Sequence, residues 1–206
     1  MPTLLQIDSS PLSSSVSREL TREYARTWKA AHPEGQVLYR DLAARTAQPI
    51  DEDWIAAAYT APANLTREQA AKLALSNELI EELELADEYV IGVAMHNFSI
   101  PSVLKLWVDQ VVRRGRTFTY SEGGPSGLLK GKKATVVIAS GGVYAEGSPA
   151  APMNHVEPYL RTILSFIGVT DVNIVAAGGT ASLMSDKVDR AAFLKPAIEQ
   201  VRSAVA

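Results

Sequence analysis

The chain has 206 residues, of which 47% are hydrophobic and 21% are charged, with a net charge of −3 and no cysteine. The lack of cysteine excludes disulfides, thiolate nucleophiles and cysteine metal sites, and the scattered basic residues do not form the patch typical of nucleic-acid-binding proteins. The length favours a single domain, 1–206, and any redox chemistry would require a bound cofactor.

The chain opens with MPTLLQID, which has no basic segment ahead of its short apolar run. That pattern is unlike a secretory signal peptide, and no run of about 20 apolar residues follows that would span a bilayer. We therefore expect a cytoplasmic protein without a membrane partner. No histidine spacing indicates a metal site either, so we expect no metal.

Five short apolar segments predict β-strands. They lie at residues 3–8, 36–41, 88–94, 134–140 and 171–177. The third and fourth are rich in β-branched residues and lack a clean alternation of apolar and polar side chains. This is typical of strands that are covered on both faces, as in a parallel sheet.

Helical patterns lie between the strands, at residues 17–31, 66–85, 101–114, 158–167 and 186–205. Thr66 and Gln69 have the spacing of a capping box at the start of the second helix. Residues 43–63 are expected to be irregular apart from a short helix near 53–58, and residues 119–130 are expected to form a loop. The alternation of strands and helices predicts right-handed crossovers and a parallel sheet with helices on both faces.

Ligands in such sheets bind outside the carboxyl ends of the strands, and the loop after the first strand is rich in serine. After Asp8, residues 9–20 read SSPLSSSVSREL and lead into a helix. Hydroxyl groups and free N–H groups at a helix N-terminus form a phosphate site, to which Arg18 could add charge. The loop has neither of the common nucleotide-binding glycine motifs. An ordinary serine N-cap remains the alternative.

The loops after the third and fourth strands have compositions that suit a flat aromatic ligand. Residues 94–99 read AMHNFS, in which Met95 and Phe98 could contact a ring and Asn97 its polar edge. His96 suggests a general base, but a loop imidazole without a catalytic role is the stronger interpretation. Residues 139–144 read ASGGVY, whose glycines allow close backbone approach, although a plain turn would look the same.

Together the three loops offer a phosphate cradle and two surfaces for a ring, which is the arrangement that flavin mononucleotide (FMN) requires. Other proteins of similar topology fit less well. A receiver domain would need a phosphorylatable aspartate at the end of the third strand, where this chain reads IGVAM. A low-mass tyrosine phosphatase would need a cysteine in its phosphate loop.

Four segments resemble the FMN-dependent NADH:quinone oxidoreductases, also called azoreductases. They are SSPLSSSVS, AMHNFSIPSVLKLWVDQVVRRGRTF, GLLKGKKATVVIASGG and EPYLRTILSFIGVTDV, and the resemblance extends over nearly the whole chain. It implies a flavodoxin-like α/β fold, which is a doubly wound five-stranded parallel sheet with strand order 2-1-3-4-5 and helices on both faces.

The resemblance also implies the residues that hold a tightly bound FMN. The ribityl phosphate would be bound by Ser10, Ser15, Val16 and Ser17. The ring would be lined by Met95, His96, Asn97 and Phe98, and its far polar edge by Ala139, Ser140, Gly141 and Gly142. Two positions depart from the family, which usually has tyrosine at position 96 and SRGG at positions 139–142. The lost arginine affects substrate contacts more than FMN binding.

The family reaction is ping-pong transfer of two electrons from NADH or NADPH to a quinone or an azo compound. The cofactor carries the chemistry, so no catalytic side chain is assigned, and Phe118, Tyr120 and Tyr144 are candidates for contact with the acceptor. A flavodoxin-like electron carrier, a reductase of a related branch with another acceptor and a non-enzymatic flavin-binding regulator remain alternatives.

Helix 101–114 is apolar on more sides than packing on one sheet requires. Its apolar residues are Val103, Leu104, Leu106, Trp107, Val108, Val111 and Val112. The excess predicts a second buried surface, and the resemblance implies a homodimer with its active sites at the interface.

Overall fold

The computed structural model describes residues 1–205, and its centre is a five-stranded parallel sheet. The strands are β1 (Thr3–Asp8), β2 (Gln36–Asp41), β3 (Glu88–Ala94), β4 (Phe118–Ser121), β5 (Gly124–Gly127), β6 (Lys133–Ala139) and β7 (Asp171–Ala177). The sheet has the order β2-β1-β3-β6-β7, which is the predicted topology once β4 and β5 are set aside as a separate antiparallel hairpin.

Seven α-helices lie within residues 1–205. They are α1 (Val16–Ala31), α2 (Glu52–Tyr59), α3 (Arg67–Lys72), α4 (Ala74–Leu85), α5 (Ser102–Val111), α6 (Val156–Ile167) and α7 (Arg190–Ser203). The short helix expected near 53–58 is present as α2. Helix α6 begins two residues earlier than expected, where Asn154 accepts hydrogen bonds from the first N–H groups of the helix. Helix α7 begins four residues later than expected, where Asp189 accepts the corresponding hydrogen bonds.

Two predicted segments were wrong in detail. The helix expected over 66–85 begins with the predicted capping box of Thr66 and Gln69 but is divided at Leu73 into α3 and α4. Leu73 is buried and packs in a small cluster with Trp54 and Ala57 of α2, which explains the division. The loop expected over 119–130 contains most of the β4–β5 hairpin instead.

The core has two layers, one on each face of the sheet. Helices α4, α5 and α6 cover one face, with Leu83, Trp107 and Leu160 fully buried, and helices α1 and α7 cover the other, with Trp28 and Leu194. Both faces of the central strands are therefore apolar, which explains the absence of alternation in their sequences. No helix within residues 1–205 is long and apolar enough to cross a membrane.

The sheet places the loops after β1, β3 and β6 at one edge. The backbone N–H of Ser9 donates to the carbonyl of Gly92 at 3.1 Å, which joins the β1 loop to the end of β3. The N–H of Met95 donates to the carbonyl of Ala139 at 2.8 Å, which joins the loops after β3 and β6. Strand order reverses between β1 and β3, so this edge is the expected ligand crevice of the fold.

Candidate functional site

The loop after β1 leads into the N-terminus of α1, where several N–H groups have no acceptor within residues 1–205. Ser15 caps the helix by accepting a hydrogen bond from the N–H of Arg18, and its Oγ lies 2.9 Å from the Oγ of Ser17. Ser10 and Ser17 are almost fully buried. Within residues 1–205, the N–H groups of Ser10, Val16 and Ser17 donate no hydrogen bond to the protein. Unpaired N–H groups at a helix N-terminus bind anions, so the predicted residues fit a phosphate group.

Arg18 does not face these N–H groups as a free charge. Its guanidinium donates two hydrogen bonds to the carbonyl oxygen of Ser10, at 2.9 Å from Nε and 2.6 Å from Nη2. It also donates to Asp41 Oδ1 at 2.7 Å, and that hydrogen bond holds the pKa of Asp41 below its usual value. Burial raises the pKa of the neighbouring Asp8 carboxyl. The charge expected from Arg18 is therefore largely compensated inside the protein.

The loop after β3 is a two-residue turn of type I′. His96 and Ser99 exchange two backbone hydrogen bonds of 3.0 Å, and the residues between them, Asn97 and Phe98, have φ of 48° and 69°. This turn requires positive φ at both central positions, which asparagine adopts readily and phenylalanine adopts only with strain. The N–H of His155 donates to the carbonyl of Phe98 at 3.0 Å and holds the turn against the start of α6.

Strained residues cluster at active sites and ligand clamps, and Phe98, with its positive φ, lies at the expected ligand crevice of this fold. We predict that Phe98→Gly is more stable than Phe98→Ala by about 1 kcal/mol, because both remove the ring and only glycine removes the left-handed strain. Urea unfolding of the two variants measures this difference. Where φ is negative, glycine is the less stable residue, so a more stable alanine variant would contradict the strain at this position.

In the loop after β6, the backbone N–H group is free of protein partners within residues 1–205 at only two of the four predicted positions. Ala139 is the last residue of β6, and the N–H of Ser140 donates to the carbonyl of Ala177, so both belong to the sheet. The N–H groups of Gly141 and Gly142 have no acceptor within residues 1–205. The ring of Tyr144 packs edge-on to that of Phe98, with centroids 6.1 Å apart.

A Cβ atom at Gly142 would lie 3.1 Å from the ring of Tyr144. Glycine at this position therefore lets the Tyr144 ring lie close to the backbone of the loop.

The remaining candidate residues are not all brought to this edge. The side chain of His96 is exposed, and its ring makes no hydrogen bond within residues 1–205, so the described residues offer no partner for a general base. Phe118 packs against Phe166 and Tyr120, with ring centroids 4.7 and 5.6 Å apart. Their hairpin contacts the carboxyl ends of α5 and α6, at the edge of the sheet opposite the three loops.

A second concavity of about 500 Å³ lies along the outer side of α5. Its walls come from α2, α5, α6 and the start of the hairpin, and include Trp54, Tyr59, Val108, Val112, Phe118 and Tyr159. The opposite side of α5, with Leu104 and Val111, is buried in the core. The open side of α5 is mixed, because Val108 and Val112 line the concavity together with Lys105 and Asp109, which form an ion pair at 2.6 Å. The second buried surface expected for this helix stays a prediction.

Comparison with known proteins gives a consistent set of relatives. A family model described as a flavodoxin-like fold matches residues 2–201. An FMN-dependent NADH:quinone oxidoreductase of Acidobacterium capsulatum is 59% identical over 206 residues, covering 100% of both chains. The FMN-dependent NADH:quinone oxidoreductase 3 of Burkholderia lata is 49% identical over 201 residues, which cover 97% of this chain and 97% of that one.

Solved structures agree with these relatives. An azoreductase of Bacillus anthracis superposes with a TM-score of 0.88 at 29% identity, covering 100% of this chain and 99% of that one. An FMN-dependent NADH-azoreductase of the same species, in complex with FMN, has a TM-score of 0.87 at 30% identity, with coverage of 100% and 98%.

Proposed function

The chain belongs to the FMN-dependent NADH:quinone oxidoreductase family, which has a flavodoxin-like fold, and we propose that it reduces quinones and azo compounds with NADH or NADPH as electron donor. The observation that carries this proposal is the buried cradle of Ser10, Val16 and Ser17, whose unpaired N–H groups lie at the same edge as the turn at Asn97 and Phe98. A phosphate group and a flat ring on one ligand match these two features. We propose a cytoplasmic location, since the reduced nicotinamides that would serve as donors are supplied there.

The chain's own residues would bind and orient FMN. The hydroxyl groups of Ser10, Ser15 and Ser17 and the first N–H groups of α1 would hold the phosphate, with the positive end of the helix dipole directed at it. The phosphate would then anchor the ligand at the switch point of the sheet.

The two neighbouring loops would hold the ring. Met95 and Phe98 would provide apolar and aromatic contact. The N–H groups of Asn97, Gly141 and Gly142, which have no acceptor within residues 1–205, would donate to the polar edge of the flavin. Fixed donors of this kind stabilise negative charge that develops during a reaction, without a cost of reorganisation. No side chain needs to act as a nucleophile or general base.

Bound FMN would supply the redox chemistry, with two electrons received from the nicotinamide and passed to the acceptor. We propose a ping-pong order in which donor and acceptor occupy the same face of the site in turn. Tyr144, next to Phe98, would contact whichever of the two is bound. Initial rates at several fixed acceptor concentrations should give parallel double-reciprocal lines, whereas intersecting lines would contradict the ping-pong order.

We also propose that the chain forms a homodimer through the open side of α5. The groove there is largely apolar, and Phe118 and Tyr120 lie at the edge opposite the flavin loops of their own chain. If these aromatics contact an acceptor, they must do so in the site of a second copy. Light scattering at micromolar concentration should give twice the mass of the 22.2 kDa chain, and a monomeric mass would refute this assembly.

His96 stands where the family usually has tyrosine. Its side chain is exposed at the first position of the turn, and the turn itself is held by backbone hydrogen bonds. We predict that His96→Tyr keeps FMN bound and changes kcat/KM for quinones, because only the surface offered to the acceptor changes. The bound flavin absorbance and steady-state kinetics measure both effects. Loss of the flavin from this variant would show that His96 helps to hold the cofactor.

One experiment tests the proposed reaction directly. The purified protein should be yellow, and anaerobic mixing with NADH or NADPH should bleach the flavin absorbance, which a soluble naphthoquinone should then restore. A colourless protein that binds no added FMN would contradict the cofactor. A yellow protein that neither nucleotide bleaches would contradict the reductase function and favour a flavodoxin-like carrier or a flavin-binding regulator.

A further inference from the structure

The side chain of Arg18 joins the two ends of the phosphate loop. Its backbone N–H is capped by the Oγ of Ser15 at 3.3 Å, and its guanidinium holds the carbonyl of Ser10 through two hydrogen bonds. Ser10 and Ser15 thus lie on opposite arms of the cradle, and one residue contacts both. The guanidinium is almost fully buried, with 9% of the side chain exposed.

We propose that Arg18 is a positioning residue for the FMN phosphate, one that sets the shape of the cradle without being a ligand of the phosphate. This inference rests on the proposed phosphate site. Two donors on the Ser10 carbonyl fix the peptide bond between Ser10 and Pro11, with its oxygen directed into the protein. The Ser10 N–H belongs to the preceding peptide bond and donates to no other residue within 1–205. Arg18 therefore acts on this N–H only through the Ser10 Cα, by fixing where Ser10 lies in the loop.

The surroundings of Arg18 keep it from turning toward the phosphate. Asp41 accepts a hydrogen bond from Nη2 at 2.7 Å, and the hydroxyl of Tyr39 accepts one from Nη1 at 2.9 Å. The Tyr39 hydroxyl in turn donates to Asp8, whose carboxylate lies 3.7 Å from Nη1. The guanidinium is therefore held by partners on β1 and β2, which are the two strands beneath the loop.

Only arginine has the donors for this arrangement. The planar guanidinium supplies Nε and Nη2 to one carbonyl while Nη2 and Nη1 reach Asp41 and Tyr39. The ammonium group of lysine is a single point with three donors and cannot reproduce the fork. Arg18→Lys keeps the charge and loses the geometry, so it separates positioning from simple electrostatic attraction.

The test compares FMN with riboflavin, which has the same ring and no phosphate. Flavin-free wild-type protein and Arg18→Lys are titrated with each ligand, and quenching of flavin fluorescence gives the two dissociation constants. We expect Arg18→Lys to weaken FMN binding at least about tenfold and riboflavin binding by less than about twofold, since hydrogen bonds to charged groups are the stronger class.

Arg40→Lys is the matched control. Arg40 is also buried and paired with two carboxylates, those of Glu78 and Glu82, but its side chain contacts no residue of the phosphate loop. This variant should leave the ratio of the two affinities unchanged. If Arg18→Lys does not fold, Tyr39→Phe replaces it, because the tyrosine side chain is largely exposed and only its hydroxyl joins Arg18 to Asp8.

The outcomes distinguish the two proposals. A selective loss of FMN affinity in Arg18→Lys, or a smaller selective loss in Tyr39→Phe, supports positioning. Equal losses for FMN and riboflavin, or no loss of either, overturn the role of Arg18 while the phosphate site stands. Wild-type protein that binds riboflavin as tightly as FMN would instead overturn the phosphate site itself.

Discussion

Replacing Ser15 with aspartate is expected to weaken FMN binding at least about a hundredfold and to leave the fold at least as stable. Ser15 is the N-cap of α1, and its Oγ lies beside the Oγ of Ser17 in the proposed phosphate cradle. Aspartate is as good an N-cap as serine, and its charge interacts favourably with the helix dipole. The same charge would repel a phosphate group of about −2.

The size of the effect follows from Coulomb's law. Charges of the same sign within a few ångströms of each other repel by several kcal/mol, even at an effective dielectric constant of about 20. The partial exposure of Ser15 and the salt of the buffer reduce this energy, and a hundredfold loss of affinity requires about 2.7 kcal/mol of it. Binding of riboflavin, which has no phosphate, should change little.

The control is Ser15→Asn, which is also a good N-cap and has no charge. Fluorescence titration should give this variant an FMN affinity much closer to wild type than that of Ser15→Asp, with the remaining loss due to the missing Ser15 hydroxyl. Urea unfolding should give all three proteins similar stability. If aspartate and asparagine weaken FMN binding equally, the serine hydroxyl matters and the charge does not. If neither has an effect, the phosphate binds elsewhere and the proposed site is wrong.

The position of the candidate site could be predicted from sequence because it follows from topology. Parallel strands joined by right-handed crossovers end at one edge, so the loops after β1, β3 and β6 had to meet once the strands were identified. The predicted strand order is confirmed. The roles of Ser10, Met95 and Gly141 toward FMN stay predictions, because only bound ligand or mutants can test them.

The orientation of Arg18 was not predicted, because it depends on partners that are distant in the chain. Its position in the first turn of α1 suggested a positive charge directed at the phosphate. In the structure its guanidinium instead donates hydrogen bonds to Ser10, Tyr39 and Asp41. A signal was present in the sequence. Both β1 and β2 end in aspartate, and the parallel register places Asp8 opposite Asp41. Two adjacent carboxylates are stabilised by a nearby cation, and Arg18 is in reach of both.

The hairpin and the helix division were missed for the same physical reason. Residues 118–127 read FTYSEGGPSG, and their glycines and proline have low strand propensity, so the local pattern favours a loop. Residues 66–85 contain no glycine or proline that would end a helix. In both segments tertiary packing decides the structure, through contact of the hairpin with α6 and of Leu73 with α2.

The hairpin also contains the position at which adding a single methyl group is expected to lower stability most. Gly127, the last residue of β5, lies directly against the end of α6, and a Cβ atom there would overlap the backbone of Ile167 and Gly168. Gly168 ends α6 with φ of 107°, a conformation that favours glycine. The two glycines thus allow two backbones to approach more closely than any side chain permits.

We therefore predict that Gly127→Ala lowers the free energy of unfolding by at least about 3 kcal/mol, at the upper end of the range for overpacked sites. Backbone atoms of a helix end cannot rotate aside as a flexible side chain can, so the hairpin or the end of α6 must move. Urea unfolding measures the loss, and the melting temperature should fall by about 2–4 °C for each kcal/mol. Gly123→Ala is the control, because the nearest atom to its Cβ would be the Ser121 Oγ at 3.9 Å.

Gly127→Ala also tests whether the hairpin takes part in acceptor binding. The three loops of the candidate site follow the carboxyl ends of β1, β3 and β6, and the hairpin that carries Phe118 and Tyr120 lies at the opposite edge. In folded Gly127→Ala, FMN affinity should therefore be close to wild type, while kcat/KM for quinones should fall if the displaced aromatics serve the site of a second copy. A wild-type kcat/KM in a destabilised variant would show that the hairpin supports the fold and takes no part in acceptor binding.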